Sequence, residues 1–217
     1  MRSLVPSAVP LLRFLPALGV GCVLTLGCAG SDGPAGSASA PIEGTGADDV
    51  GGGACNVATQ SATGLTQNHL SACSPIDYPD NPPIGGDHYS VWAAFQSFGF
   101  VVPRGFWVHD LEHGAIVFTY HCPEGCADEV AQVQALIDAL PEDPLCLEEG
   151  MGAVRRAVLT PDPLLDVRWG VSAWGHTLRA DCVDAPRFTQ FYLNHFGLGP
   201  EVLCVPGSDF SGVAPCQ

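Results

Sequence analysis

The segment Trp107-Val108-His109-Asp110-Leu111-Glu112-His113-Gly114 places two imidazoles and two carboxylates within five residues. At helical spacing His109 and His113 share one face, and Glu112 lies one position away from it. Two neutral imidazoles four residues apart are a common ligand pair for a divalent metal. Gly114 is typical of the end of a helical turn. The segment is therefore the candidate centre of a functional site.

A buried strand is predicted directly after this segment, in the run Ala115-Ile116-Val117-Phe118-Thr119-Tyr120. Because the strand and Gly114 follow at once, the helix before them is predicted to be about one turn long. The pattern also spells H-x-x-E-H, the inverted zinc-protease motif. That chemistry needs a long helix and a glutamate beside a metal-bound water. The alternative is that the histidines form ordinary hydrogen bonds that fix a loop.

The N-terminal part predicts export. Residues 1–27 carry flanking arginines and an apolar run, 15–26, that is too short for a comfortable membrane span. Gly27-Cys28 resembles a lipoprotein cleavage site, although Thr25 stands where leucine is usual. An ordinary secretory signal is the alternative. Both place the mature protein outside the cytoplasm, and lipid on Cys28 would anchor it to a membrane, in the periplasm or at the cell surface.

Composition divides the rest of the chain into a tether and one domain. Residues 28–53 are mostly Gly, Ala, Ser, Pro and Asp, which predicts a flexible tether. Residues 54–217 are long enough for a single globular domain. Beyond the signal, six arginines stand against 23 acidic residues, a formal charge of −17. Such a surface repels phosphate, so we expect no nucleic-acid partner, and no protein partner is indicated.

The cysteines predict a disulfide-stapled domain. An even number in an exported chain indicates up to four disulfides, with 105 possible pairings. The candidates are Cys55, Cys73, Cys122, Cys126, Cys146, Cys182, Cys204 and Cys216. Cys122 and Cys126 have the spacing of a local structural disulfide, because redox pairs more often have two intervening residues.

A Pro/Gly-rich arm precedes the central segment and holds two further histidines, His69 and His88. Pro82-Pro83 stiffens this arm, and Gly85-Gly86 permits a sharp turn just before His88. A rigid arm and a tight turn are one way to place a loop ligand. The alternative is a surface turn with an incidental histidine.

The two histidine motifs carry a family resemblance. Over roughly residues 65–196 the chain resembles the bacterial domain-of-unknown-function family 3105, through Asn81-Pro82-Pro83, Gly86-x-His88-Tyr89, Trp92-Ala93, Val108-His109-x-Leu111-Glu112-His113-Gly114 and Ala173-Trp174-Gly175. This chain departs from the usual family pattern at Gly85, Asp87 and Asp110 and keeps the histidines. The resemblance supplies no reaction. It implies that one site contains the residues His69, His88, His109, Glu112 and His113.

The residue types at this site favour a transition metal. Four imidazoles, His69, His88, His109 and His113, with a carboxylate nearby suit zinc, copper, nickel or iron, and we favour zinc or copper. Calcium requires more oxygen ligands. Met151 is the one methionine beyond the signal, so a thioether-rich copper(I) site is not indicated.

The remaining periodicity predicts an α+β fold, a small and largely antiparallel sheet with two helices on one face. Helices are predicted over 128–140 and 186–196, the second capped by Asp184, and strands over 153–160 and 167–174. His176 is predicted to be a surface residue.

Three functions remain open, in this order. The first is an exported domain that binds zinc or copper through the histidines. The second is a metal-dependent, hydrolase-like enzyme with Glu112 as general base. The third is a non-catalytic surface lipoprotein whose histidines are structural.

Overall fold

The computed structural model describes residues 55–151, 154–212 and 214–216. The predicted signal, the Cys28 anchor, the tether and the start of the predicted strand 153–160 lie outside these residues. Within them, no helix has the length and apolar character needed to cross a membrane. The elements are, in chain order, β1 (Val57–Ser61), β2 (His69–Leu70), β3 (His88–Tyr89), α1 (Arg104–Glu112), β4 (Ile116–Tyr120), α2 (Ala127–Ala139), α3 (Pro144–Glu148), β5 (Ala157–Pro161), β6 (Trp169–Ala173), β7 (His176–Ala180), α4 (Ala185–His195) and a 3₁₀ turn (Phe210–Gly212).

The main sheet has five strands in the order β1-β7-β6-β4-β5. The pairs β1–β7, β7–β6 and β6–β4 are antiparallel, and β4–β5 is parallel. A parallel pair needs a long connection, which α2 and α3 provide here. The predicted α+β class and the largely antiparallel sheet are confirmed.

One face of the sheet is covered by α2 and α4, as predicted. Val133 and Ile137 of α2 and Phe188 and Tyr192 of α4 pack with Trp169 in one buried cluster. Apolar residues recur along both helices at the spacing of one helical face, so each helix buries that face against the sheet. Asp184 caps α4, where its side chain accepts a hydrogen bond from the Arg187 amide at 3.0 Å.

The opposite face is covered by α1 and the Pro/Gly-rich arm. The prediction of a helix of about one turn was wrong, because α1 is a nine-residue helix from Arg104 to Glu112. The helix begins well before the histidines, directly after Pro103. Trp107, Val108 and Leu111 are fully buried against β4 and the arm. Packing on several sides, rather than one amphipathic stripe, therefore stabilises this helix.

All eight candidate cysteines pair, as predicted, in four disulfides. The pairs are Cys55–Cys182, Cys73–Cys216, Cys122–Cys126 and Cys146–Cys204. The Cys122–Cys126 pair is the local link predicted from its spacing. The other three join segments that are 58 to 143 residues apart in sequence. Such cross-links indicate an oxidising, extracytoplasmic environment.

Candidate metal centre

The last turn of α1 supplies two side chains of the site, His109 and Glu112. These residues are three apart, so they lie on the same side of the helix. The His109 Nε2 atom is 3.8 Å from the Glu112 Oε2 atom. Both residues are almost fully buried, with 2% and 3% of their surface exposed. Because α1 is packed on several sides, its backbone fixes where these two groups point.

The arm supplies His69 and His88 through a short parallel pairing of β2 with β3. His69 lies opposite His88 in the register, and the His88 amide donates to the Asn68 carbonyl at 3.0 Å. The His88 Nε2 atom is 3.0 Å from Glu112 Oε2, and the His69 Nε2 atom is 3.2 Å from the same oxygen. His88 is fully buried, whereas 45% of the His69 side chain is exposed. His69 therefore forms the solvent side of the cluster.

A sharp turn before His88 aims the arm at α1. Gly85 and Gly86 have φ angles of +138° and +115°, which residues other than glycine rarely adopt. A Cβ atom on Gly85 would also lie 2.8 Å from Leu65 and 3.2 Å from Trp174. Glycine is therefore required at this position both for backbone conformation and for space.

Backbone carbonyls fix the tautomers of His88 and His109. The His88 Nδ1 atom donates to the Gly86 carbonyl at 2.8 Å, and the His109 Nδ1 atom donates to the Tyr89 carbonyl at 2.6 Å. A carbonyl oxygen only accepts, so Nδ1 carries a proton in both rings, and this is the single ring proton when an imidazole is neutral. The lone pair of each ring is then on Nε2, the atom that faces Glu112. Backbone acceptors of this kind commonly orient metal-binding histidines.

The four side chains of this cluster could hold one metal ion. His69, His88, His109 and Glu112 each offer one ligand atom, and the four atoms lie within 4.8 Å of one another. A tetrahedral zinc site with bonds of about 2.0–2.1 Å has ligand-to-ligand edges of about 3.3 Å. The three nitrogen-to-oxygen distances of 3.0, 3.2 and 3.8 Å bracket that value.

His113 lies beside this cluster rather than among its ligands. It caps the C-terminal end of α1, and its Nε2 atom is 3.9 Å from Glu201 Oε2. The Trp92 ring lies near both His113 and His109, with ring centroids 4.9 and 5.0 Å away. Glu201 was not predicted, because it is a single acid in a loop-rich tail and carries no motif. The structure thus joins three of the four predicted histidines with Glu112, and it places His113 in an adjacent group with Glu112 and Glu201.

Burial lowers the pKa of His109 and of His113, so both imidazoles are neutral at pH 7. It lowers the pKa of His109 to about 4, with smaller effects in the same direction from His113, His88 and His69. Burial also lowers the pKa of His113 to about 4, aided by His88, His69 and Arg156. Neutral imidazoles are the form that binds metals. Burial raises the pKa of Asp110 well above its usual range, and this carboxyl accepts one hydrogen bond, from the Ala93 amide.

These shifts predict that the metal-free protein loses stability between about pH 6.5 and pH 5. The unfolded chain protonates His109 and His113 near their ordinary value of 6.5, whereas the folded protein does so near 4. The unfolded state therefore binds more protons in this window, and the free energy of unfolding falls by up to about 1.4 kcal/mol per pH unit for each histidine. Urea unfolding in a chelator at pH 7 and at pH 5 measures this. Equal midpoints would contradict it.

Comparison with known proteins gives the family and no activity. Residues 69–205 match the family described as "Protein of unknown function (DUF3105)". The match covers more than half of the chain, so the chain belongs to this family, as its histidine motifs predicted. The matched region begins at His69 and contains every residue of the cluster described above. No curated protein and no solved structure matches the chain.

Proposed function

We propose that this protein is an exported, membrane-tethered domain that binds a transition metal, zinc or copper. The ligands are His69, His88, His109 and Glu112. One observation carries the proposal, namely that three imidazole nitrogens converge on a single carboxylate oxygen at 3.0 to 3.8 Å.

With neutral imidazoles, the convergence is unfavourable for the side chains alone. With Nδ1–H bound to a backbone carbonyl, a neutral His88 or His109 offers only a lone pair at Nε2. An ionised carboxylate also offers only lone pairs, so acceptor faces acceptor in a buried environment. Buried polar groups without a matching partner cost free energy. A divalent cation between the four atoms converts the same arrangement into coordination bonds.

The donor set selects among metals. Three nitrogens and one oxygen within 4.8 Å of one another suit zinc and copper, and nitrogen-rich sites disfavour calcium and magnesium. His69 is the exposed ligand, so exchange with solvent or with a delivering molecule occurs on its side of the cluster. That arrangement fits a domain that holds or transfers a metal.

Glu112 has a different role in the enzyme alternative. A general base needs to contact a metal-bound water rather than the ring nitrogens themselves. Here the Glu112 Oε2 atom is 3.0 Å from His88 Nε2 and 3.2 Å from His69 Nε2, about the separation of two ligand atoms on one metal ion. This favours a role for Glu112 as a ligand. We therefore retain the metal-dependent hydrolase as the second candidate function and the purely structural lipoprotein as the third.

Export and tethering are supported by the chain outside the cluster. Four disulfides fit a domain that matures in an oxidising compartment. The apolar run before Gly27-Cys28 and the Gly/Ala/Ser-rich residues 28–53 fit a lipid anchor with a spacer. Together they hold a metal-binding domain near, but not within, a membrane surface.

Metal content of the full chain tests the proposal. We expect near-stoichiometric zinc or copper in protein made in an oxidising compartment without a His tag. His69→Ala removes one of four ligands at an exposed position and is expected to weaken binding by at least about 100-fold. His121→Ala is the matched control, because His121 follows β4 and belongs neither to the cluster nor to the stacked His176–His195 pair. If the parent takes up neither zinc nor copper after loading, the structural role remains.

A further inference from the structure

We propose a second metal position next to the first, formed by Glu112, His113 and Glu201, so that Glu112 bridges two cations. This inference rests on the proposed function and extends it from a mononuclear to a dinuclear centre. The three residues each offer one ligand atom, and these atoms lie within 4.8 Å of one another.

His113 is the observation that points to a ligand. Only 2% of it is exposed, and its Nδ1 atom has no hydrogen-bond partner among the described residues. Its Nε2 atom is directed at Glu201, but the 3.9 Å separation is too long for a hydrogen bond. Buried imidazoles normally have a partner. A cation bound to Nε2 between His113, Glu201 and Glu112 would give that side of the ring a partner, while Nδ1 lies on the other side of the ring.

Glu201 is positioned by backbone contacts rather than by its own side chain. Its amide donates to the Glu112 carbonyl at 3.0 Å, and the Gly197 amide donates to the Gly114 carbonyl at 2.7 Å. A Cβ atom on Gly199 would lie 2.1 Å from the Glu112 carbonyl oxygen. Glycine at 199 therefore permits this segment to lie directly against the end of α1. The exposed Glu201 carboxylate is brought to His113 by that close approach.

The two positions are adjacent and chemically different. The rings of His109 and His113 are 4.6 Å apart and nearly perpendicular, and Trp92 contacts both. A carboxylate has two oxygens and can bind two cations, which in such centres lie about 3.5–4 Å apart. The first position has three nitrogens and one oxygen. The second has one nitrogen and two oxygens and is more open, so it binds a divalent ion such as Zn²⁺ more weakly.

Zinc stoichiometry of the full chain tests the inference. Equilibrium dialysis against Zn²⁺ is expected to give two ions per chain in the parent and one in Glu201→Gln, which keeps the backbone contacts and the fold. Glu142→Gln removes the same charge from an exposed position and is expected to keep two ions. The parent and both variants carry His195→Gln, so that the stacked His176–His195 pair, with ring centroids 4.2 Å apart, does not add to the zinc count.

Binding of Co²⁺ tests whether the two metal positions are adjacent. Two Co²⁺ ions bridged by one carboxylate couple magnetically, so the electron paramagnetic resonance signal per cobalt is expected to fall as the second equivalent binds. Signals that simply add, or two zinc ions retained in Glu201→Gln, would overturn the inference. One zinc ion in the parent, lost in His69→Ala, would overturn it and leave the proposed function intact. No zinc or copper in the parent would overturn both.

Discussion

Glu112→Gln is expected to lower metal affinity by at least about 100-fold while leaving the metal-free protein as stable as the parent, or more stable. The substitution removes an anionic ligand, which weakens coordination. It also places an amide NH₂ beside Nε2 of His88, whose lone pair faced only the acceptor oxygens of the carboxylate. Metal titration and urea unfolding in a chelator measure the two effects separately.

Glu129→Gln is the matched control for this substitution. The Glu129 carboxylate accepts hydrogen bonds from Arg168 and from the Trp169 indole, each at 2.8 Å, so its loss is expected to cost about 1 kcal/mol and leave metal affinity unchanged. If Glu112→Gln instead destabilises the metal-free protein and leaves affinity unchanged, the histidines are structural. If it keeps the metal and abolishes a measurable hydrolysis, Glu112 is the general base.

Arg156→Met is expected to lower the free energy of unfolding by about 3–5 kcal/mol, the largest stability effect predicted here. Arg156 is 2% exposed and pairs with Asp143, which is 1% exposed. Its NH1 atom also donates to the His113 carbonyl at 2.6 Å. Methionine would fill much of the space but leave Asp143 as a buried charge without a counter-ion. Urea unfolding of metal-free protein at pH 7 measures the loss.

Two further variants test whether the unpaired, buried charge of Asp143 causes this loss of stability. Adding Asp143→Asn to Arg156→Met is expected to recover much of the stability, because the buried charge is removed and the amide oxygen can still accept from Leu145. Arg179→Met breaks the exposed Arg179–Asp166 pair and is expected to cost less than about 1 kcal/mol. Equal losses in Arg156→Met and Arg179→Met would show that burial of the pair is not what matters.

Elements with a regular apolar pattern were predicted from the sequence. The helices α2 and α4 were predicted to within one residue at each end, because their apolar residues recur every three to four positions. The strand β6 lies inside its predicted range. In these segments the local pattern and the final environment agree, so local information is sufficient.

Other elements depend on contacts that the sequence does not display. The edge strand β1 is mostly exposed and polar, so it lacks alternation, and it forms by pairing with β7. His176, predicted to be a surface residue, begins β7 and is half-buried. The helix α1 was predicted too short because its burial comes from several partners. Long-range packing decided these segments.

The site, too, was predicted from the sequence only in part. The motifs identified His69, His88, His109, Glu112 and His113 as one group, and the structure places them close together. The sequence could not show that His69 pairs in register with His88, or that Glu112 lies at the centre of the imidazoles. Glu201 lies about 90 residues after Glu112 in the chain, and the close packing of Gly199 against the end of α1 brings it to the site. Neither its residue type nor its neighbours distinguish it from other acids.

The Cys55–Cys182 link also determines how the fold bears mechanical load. Cys55 precedes β1 and Cys182 follows β7, the strand with which β1 pairs. A pull on the chain before Cys55 passes through this covalent link to Cys182, which is joined to β7 on one side and to α4 on the other. The hydrogen bonds between β1 and β7 lie outside that path, so traction from the N-terminal side does not peel the edge strand from the sheet.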